Sequence, residues 1–354
     1  MQNQPDLATL EDLPNEILVT ILSTFPTNHL LVWVIVSRRF HSLILRILHF
    51  RLLLAAALPD CKLILEAYHP SRTSAGNAYL YCTYLGTDGL SSKHEGEGSL
   101  YADCAGEEGR FAKLGALYSR FRPERPTVTA SMPLRRIAGI APAQSLAGET
   151  TQPIYADSGD GGSTKVAHVL NLDADELFGQ FCAYPQLVRF GPRRGVFLSS
   201  SHIVQHGQGV MRVWKHWLQD RALELWHQQQ QQEQQQEQEQ QENGQDPGQA
   251  HLIRSATMSC PTIGADKNIL WTDYKKNVGL RVAVREREGR LYGKTPDEYN
   301  DSPMSFLIEI QELVVRTTHL MLAVETFIQD QEKRTGKTLV FGNFATAAAL
   351  PTGT

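Results

Sequence analysis

Apolar residues recur at helical spacing between Leu10 and Leu54, and the pattern predicts three short helices. The first carries Ile17, Leu18, Ile21, Leu22 and Phe25. Pro14 suits its first position, where a missing N–H removes no intrahelical bond, and Glu16 complements the positive end of the helix dipole. Pro26 stops it. Thr27 or Asn28 is placed to cap a second helix bearing Leu30, Leu31, Val34 and Ile35. Ser37 is placed to cap a third, with Phe40, Leu43, Ile44, Ile47 and Leu48 on one stripe. Burying the apolar side chains of the first helix alone contributes on the order of 10 kcal/mol before conformational entropy is subtracted. Three short helices cannot hide that much surface from one another, so later parts of the chain or a partner protein must cover the remainder.

Beyond Pro59 the period changes to two. Cys61–Tyr68, Ala78–Leu85, Val196–Leu198, Val210–Leu218, Asn268–Thr272 and Val278–Val284 read as strands. Phe306, Ile308 and Ile310 continue the alternation, followed by Leu313–Arg316 and by Leu320, Leu322 and Val324. Ser99–Ala102 reads as a short strand and Asp173–Tyr184 as a short helix. Arg110–Phe121 is open to two readings, a helical turn or a basic aromatic edge. Short strands without regular helices between them predict an antiparallel sandwich or barrel rather than a doubly wound fold. The expected class is α+β: a helical segment at 9–54, then a β-sandwich-like domain at 58–328. Two insertions interrupt that domain, a Pro/Gly/Ala/Ser/Thr-rich stretch at 127–164 and a Gln/Glu-rich run at 227–250 that reads as disordered or helix-prone, with Trp217–Trp226 before it open to a helical reading. Residues 329–354 read as a flexible tail. A β domain that closes its own core leaves the Leu13, Ile17, Leu18 and Leu31 surface free for a partner.

Composition narrows the partners. A net charge of −4 and a pI near 6.3 give no electrostatic basis for nucleic-acid binding. Five scattered cysteines favour a reducing compartment over a disulfide framework. The polar, acidic opening Met1–Pro14 does not read as a secretory signal, and charges interrupt every apolar run before it reaches the roughly 18 residues of a membrane span. The expectation is a cytoplasmic or nuclear protein that spans no membrane.

Leu13-Pro14-x-Glu16-Ile17-Leu18-x-x-Ile21-Leu22, then Leu30-Leu31, then Val36-Ser37-Arg38-Arg39-Phe40 and Leu43, resembles an F-box over about residues 9–50. Phe40 stands where the motif commonly has Trp, and Thr27-Asn28-His29 replaces its usual acidic residue. The resemblance implies docking on a Skp-type adaptor, and through it on a cullin, by Leu13, Pro14, Ile17, Leu18, Ile21, Leu22, Leu30, Leu31, Val36, Phe40 and Leu43. Blocks at Lys62–Glu66, Tyr118–Pro126, Gly191–Gly195, Val213–Trp217 and Glu312–Thr317 are similar to those of uncharacterised fungal F-box proteins. The Val213–Trp217 block is also similar to a strand of sugar-binding F-box-associated sandwiches.

Motifs for bond-making chemistry are absent from the sequence. Gly293-Lys294-Thr295 and Gly336-Lys337-Thr338 lack the earlier glycine that lets a phosphate loop curl, since Glu288 and Gln331 stand there. His202 and His206 share helical metal spacing but a loop-like setting, and no Cys-x-x-Cys pair occurs. No metal, cofactor or catalytic residue is therefore expected. Arg193, Arg194, Trp214 and Trp217 are the residues best suited to hold a target, because aromatics beside arginine make good anchors. Two functions follow. One is a non-catalytic substrate receptor of an SCF-type ubiquitin ligase. The other is a glycan- or peptide-binding β module whose F-box serves a non-ligase assembly.

Overall fold

The computed structural model describes residues 12–59, 61–70, 79–104, 106–125, 166–190, 197–204, 208–242, 263–287 and 303–333. Helices α1 (Asn15–Ser23), α2 (Thr27–Trp33) and α3 (Arg38–Ala57) open the chain. Pro14 sits at the N-cap of α1 rather than inside it, and its carbonyl accepts from Leu18 N at 3.1 Å. Ser37 caps α3 as its position suggests, its hydroxyl accepting from Phe40 N at 3.2 Å. Leu58 ends α3 in the left-handed conformation at φ 47°.

The remaining elements are β1 (Lys62–Tyr68), β2 (Leu80–Thr87), α4 (Glu107–Gly115), β3 (Tyr118–Glu124), β4 (Val166–Leu172), β5 (Phe178–Phe190), β6 (Phe197–His202), β7 (Val210–Trp214), α5 (Lys215–Glu242), β8 (Ile269–Trp271), β9 (Val278–Glu286), β10 (Met304–Arg316) and α6 (Thr317–Lys333). All ten strands join one antiparallel sheet in the order β6-β5-β1-β2-β3-β10-β9-β8, with β7 on β5 and β4 on β10. The antiparallel β domain expected as a sandwich or barrel is thus built from one curled sheet rather than two packed ones. The two 13-residue strands make the curl possible. One edge of β10 serves β4 over Met304–Ile310 and β3 over Leu313–Arg316; one edge of β5 serves β7 and then β6. Register shifts between Ile310 and Glu312 and between Tyr84 and Gly86 add local bend.

Several expectations are corrected. Asp173–Tyr184 is a turn leading into β5, not a helix. Ser99–Ala102 is turn, and Arg110–Phe121 divides into α4 and β3, the latter an interior strand between β2 and β10. Leu320, Leu322 and Val324 belong to α6, which also takes up the start of the expected tail, Gln329–Lys333. Strand β7 ends at Trp214, and α5 then carries Trp217, Trp226 and the Gln/Glu run through Glu242. His202 lies in a strand. The 127–164 insertion, Gly191–Gly195 and 243–250 lie outside the described residues.

The sheet wraps a core of Leu63, Leu65, Phe121, Phe181, Leu187, Leu280, Phe306, Ile308 and Leu313, sealed by Leu218 and Ala222 of α5 and by Leu320, Val324 and Phe327 of α6. A second core holds Leu18, Leu22, Leu30, Leu43, Ile44, Leu48 and Leu52 of the N-terminal helices together with Tyr101, Leu114, Leu117 and Met321. Helix α6 therefore has two apolar faces, one for each core. Helix α3 is long and apolar enough by length and composition to cross a membrane, but half of it is buried within this second core.

Candidate docking surface

The leucine pattern of α1 and α2 splits between the inside and the outside of the helical core. Leu18, Leu22, Leu30 and Leu43 are buried, and Leu13 and Phe40 are half-buried against them. Pro14, Ile17, Ile21, Leu31 and Val36 face outward. Leu18 is thus unavailable to a partner, contrary to the expectation of a free Leu13, Ile17, Leu18 and Leu31 surface. The β domain does not leave these helices alone, because α4 and α6 cover their inner side.

Val32 and Ile35, which the motif does not single out, are also exposed, Ile35 at 88%. Six of the fifteen large apolar residues exposed among the described ones therefore fall between positions 17 and 36. Such a concentration marks an interaction surface more than scattered exposure does. Helix α2 ends at Trp33, so Val34 and Ile35, expected on the second helix, fall in the turn before α3, where Val34 packs on the helical core and Ile35 does not.

The frame of this surface is fixed by polar ties. Arg39, at the start of α3, donates to the Leu13 carbonyl and, at 2.8 Å, to Asn15 Oδ1, holding the entry to α1. Arg51 donates through Nη2 to the carbonyls of Ser23 (3.0 Å) and Phe25 (2.6 Å), and through Nη1 to Thr27 Oγ1 at 2.7 Å. Phe25 and Trp33 pack edge to face at 4.6 Å, bracing α2 against the end of α1.

Behind α3 lies a polar cluster that sequence spacing did not reveal. His49 is fully buried, with Nε2 2.9 Å from the Ser91 carbonyl and Nδ1 3.1 Å from the Tyr101 hydroxyl. A carbonyl only accepts, so Nε2 carries the proton and Nδ1 accepts from Tyr101. The His94 ring stands 5.3 Å from those of both His49 and Tyr101. Burial lowers the pKa of both histidines; His94 is lowered further by His49, whereas the Ser91 hydrogen bond opposes the shift at His49. Burial pushes the Tyr101 hydroxyl up. Arg110 lies 5.6 Å over the Tyr101 ring, beside the two histidines. Among the described residues, no group of three or more His, Cys, Asp or Glu side chains is arranged to hold a metal ion.

The residues expected to hold a target are dispersed. Arg193 and Arg194 lie outside the described residues. Trp214 is exposed at the end of β7, packed edge to face on Phe178 at 5.2 Å, with Arg212 lying 5.1 Å over the same Phe178 ring. Trp217, one turn into α5, lines a separate cavity of about 480 Å³ shared with Trp271 of β8. His216 links the two places, lining that cavity with its ring 6.2 Å from Trp214. No protein-family model, curated protein or solved structure matches this chain.

Proposed function

We propose that this chain is a substrate-receptor subunit of an SCF-type E3 ubiquitin ligase, working in the cytoplasm or nucleus. Its N-terminal three-helix segment is read as an F-box that docks a Skp-type adaptor and, through it, a cullin, while the β-rich domain holds a protein target. The observation that carries the reading is the exposure of Ile17, Ile21, Leu31, Val32, Ile35 and Val36, left uncovered by a fold that buries Leu18, Leu22 and Leu30 between them. Covering those six side chains contributes on the order of 5 kcal/mol gross, enough to anchor a partner once ordering costs are met.

No residue of the chain need form or break a bond in this role. Holding a target lysine near a charged ubiquitin-conjugating enzyme raises its effective concentration, which is a positional form of catalysis. The shared core beneath α3 and α6 supports the same reading, because it ties the docking helices to the domain that would carry the target.

The test is co-elution of the purified chain with a Skp-type adaptor. Ile17→Asp together with Ile21→Asp should abolish it without changing the thermal midpoint. Unaltered co-elution, or none with the wild-type chain, removes the proposal. The cavity at Trp217 favours a second reading, a β module for glycans or peptides whose helices serve a non-ligase assembly. In that case the β domain binds its ligand while no cullin co-purifies.

A further inference from the structure

The cavity between α5 and β8 belongs to none of the docking helices. Its walls come from the first turns of α5, the 3-10 turn at Ile263–Ala265, β8 and the turn before β9. We infer that it is a recognition pocket for a short peptide segment of the target, one that presents a bulky apolar or aromatic side chain beside carboxylates. The inference rests on the receptor reading for its partner and on the pocket alone for its chemistry.

The aromatic walls are half-buried and held in place. The Trp217 indole N–H donates to the Lys267 carbonyl at 3.3 Å, which fixes the ring and leaves its face to the cavity. Trp271 packs against the Tyr118 ring at 5.6 Å and lies across Gly279, where a Cβ would come within 2.8 Å of Trp271 Cε3. Rings fixed in advance lose little entropy when a side chain settles between them. At about 480 Å³ the space suits two or three residues rather than a whole folded surface.

Charge at the rim selects for acid. Lys267 and Lys276 both line the cavity. Asp266 is already taken, 3.0 Å from Arg281 and accepting from Asn268 N at 2.9 Å, and Arg221 is turned to Glu224. Asp220 is the one remaining carboxylate of the lining, so the two lysines exceed it by one positive charge.

The Lys276 ammonium is delivered by strained backbone. Lys276 has φ 55°, a region an L residue enters at a cost of about 1 kcal/mol or more. Hydrogen bonds hold the turn: Asp273 accepts from Lys276 N (3.1 Å) through its carbonyl, from Asn277 N (2.8 Å) through Oδ1 and from Asn277 Nδ2 (2.8 Å) through Oδ2, while Tyr118 donates to the Lys276 carbonyl at 3.1 Å. The ammonium then reaches the Gly264 carbonyl at 2.6 Å, on the opposite side of the cavity, and stands 6.0 Å from the Trp271 ring. A glycine would make the same turn without strain but would not place an ammonium beside the cavity.

The test is a titration of the full chain, followed by tryptophan fluorescence, with blocked nonapeptides carrying one Phe, Tyr, Trp or Leu flanked by Asp and Glu. Matched peptides flanked by Lys, and a panel of neutral oligosaccharides, serve as controls. Acid-flanked peptides should bind in preference to both. Trp271→Ala should weaken them at least about tenfold, and Lys276→Gly about threefold, with a shallower salt dependence. Lys276→Gly also relieves the backbone, so its thermal midpoint should hold or rise while affinity falls. Equal binding of acid- and Lys-flanked peptides, preference for an oligosaccharide, or affinities unmoved in both variants overturns the inference. Adaptor co-elution measured on the same preparations separates the two proposals: adaptor without peptide refutes this pocket alone, and peptide without adaptor refutes the ligase role alone.

Discussion

The Glu325 carboxylate on α6 stands 3.1 Å from Arg51 Nη1 on α3 and accepts from the Thr27 backbone N–H at 2.9 Å, so the N-terminus of α2 is capped by a residue 298 positions away. One side chain thereby closes the seam among α2, α3 and α6. Burial lowers the pKa of Arg51 and the charge of Glu325 works in the opposite direction, keeping the guanidinium protonated. Glu325→Ala leaves a helix N–H and a partly buried guanidinium short of a partner, and should cost about 1–3 kcal/mol in urea unfolding. Glu325→Gln keeps an acceptor for Thr27 N and should fall between the two.

The histidines behind α3 set a pH dependence. Both His49 and His94 have folded-state pKa values below 6.5, so the unfolded chain takes up protons first as pH falls. Their contribution is fully present above about pH 6.5 and is lost on acidification, until pH passes below the folded-state values. His94→Gln should therefore flatten the fall in unfolding free energy between pH 7.5 and 5.5. A slope identical to the wild type would place the titration elsewhere.

Close packing at two glycines predicts opposite outcomes. A Cβ at Gly209 would sit 2.1 Å from Tyr184 Cε1, and the Gly209 carbonyl accepts from Ala183 N at 2.8 Å, so neither the ring nor the backbone gives way easily. Gly209→Ala should destabilise by about 1–3 kcal/mol. At Gly115, the last residue of α4, nothing lies within 4 Å of an added Cβ, and Gly115→Ala should be neutral or stabilise by up to about 1 kcal/mol. Thermal melts of the two single variants decide both.

The helices α1 to α3 were legible because Pro14, Pro26 and Ser37 punctuate a clear helical period, and β9 because it alternates; β1 was legible because Lys62 and Glu66 stand opposite Leu63, Leu65 and Ala67, although Ile64 is buried as well. Strand β5 was misread because Phe181, Cys182 and Ala183 are buried consecutively, between β1 on one edge and β6 and β7 on the other, which erases the period of two. Helix α6 was misread for the opposite reason. Leu320, Leu322 and Val324 mimic alternation because the helix has two apolar faces, although Leu320, Val324 and Phe327 also fit one helical stripe. The Gln/Glu run is helical because good helix formers extend a segment already anchored by Leu218 and Ala222. Of the candidate surface, sequence located the stretch and not its inner and outer faces, since that division depends on Leu114, Leu117 and Met321 arriving from elsewhere in the chain.

That division can be tested within the motif itself. Leu30 is fully buried and Leu31, its neighbour on α2, is exposed. Leu30→Ala removes a side chain from the helical core and should cost about 2–5 kcal/mol, lowering the melting midpoint whether or not a partner is present. Leu31→Asp and Ile35→Asp place charge where the fold already meets water, so each should leave stability within about 0.5 kcal/mol of wild type. Their effect should appear in adaptor binding alone, because a carboxylate pressed into an apolar contact must be desolvated without a partner. Loss of stability in the two aspartate variants would mean that the fold itself uses Leu31 and Ile35, and they would drop out of the surface offered to a partner.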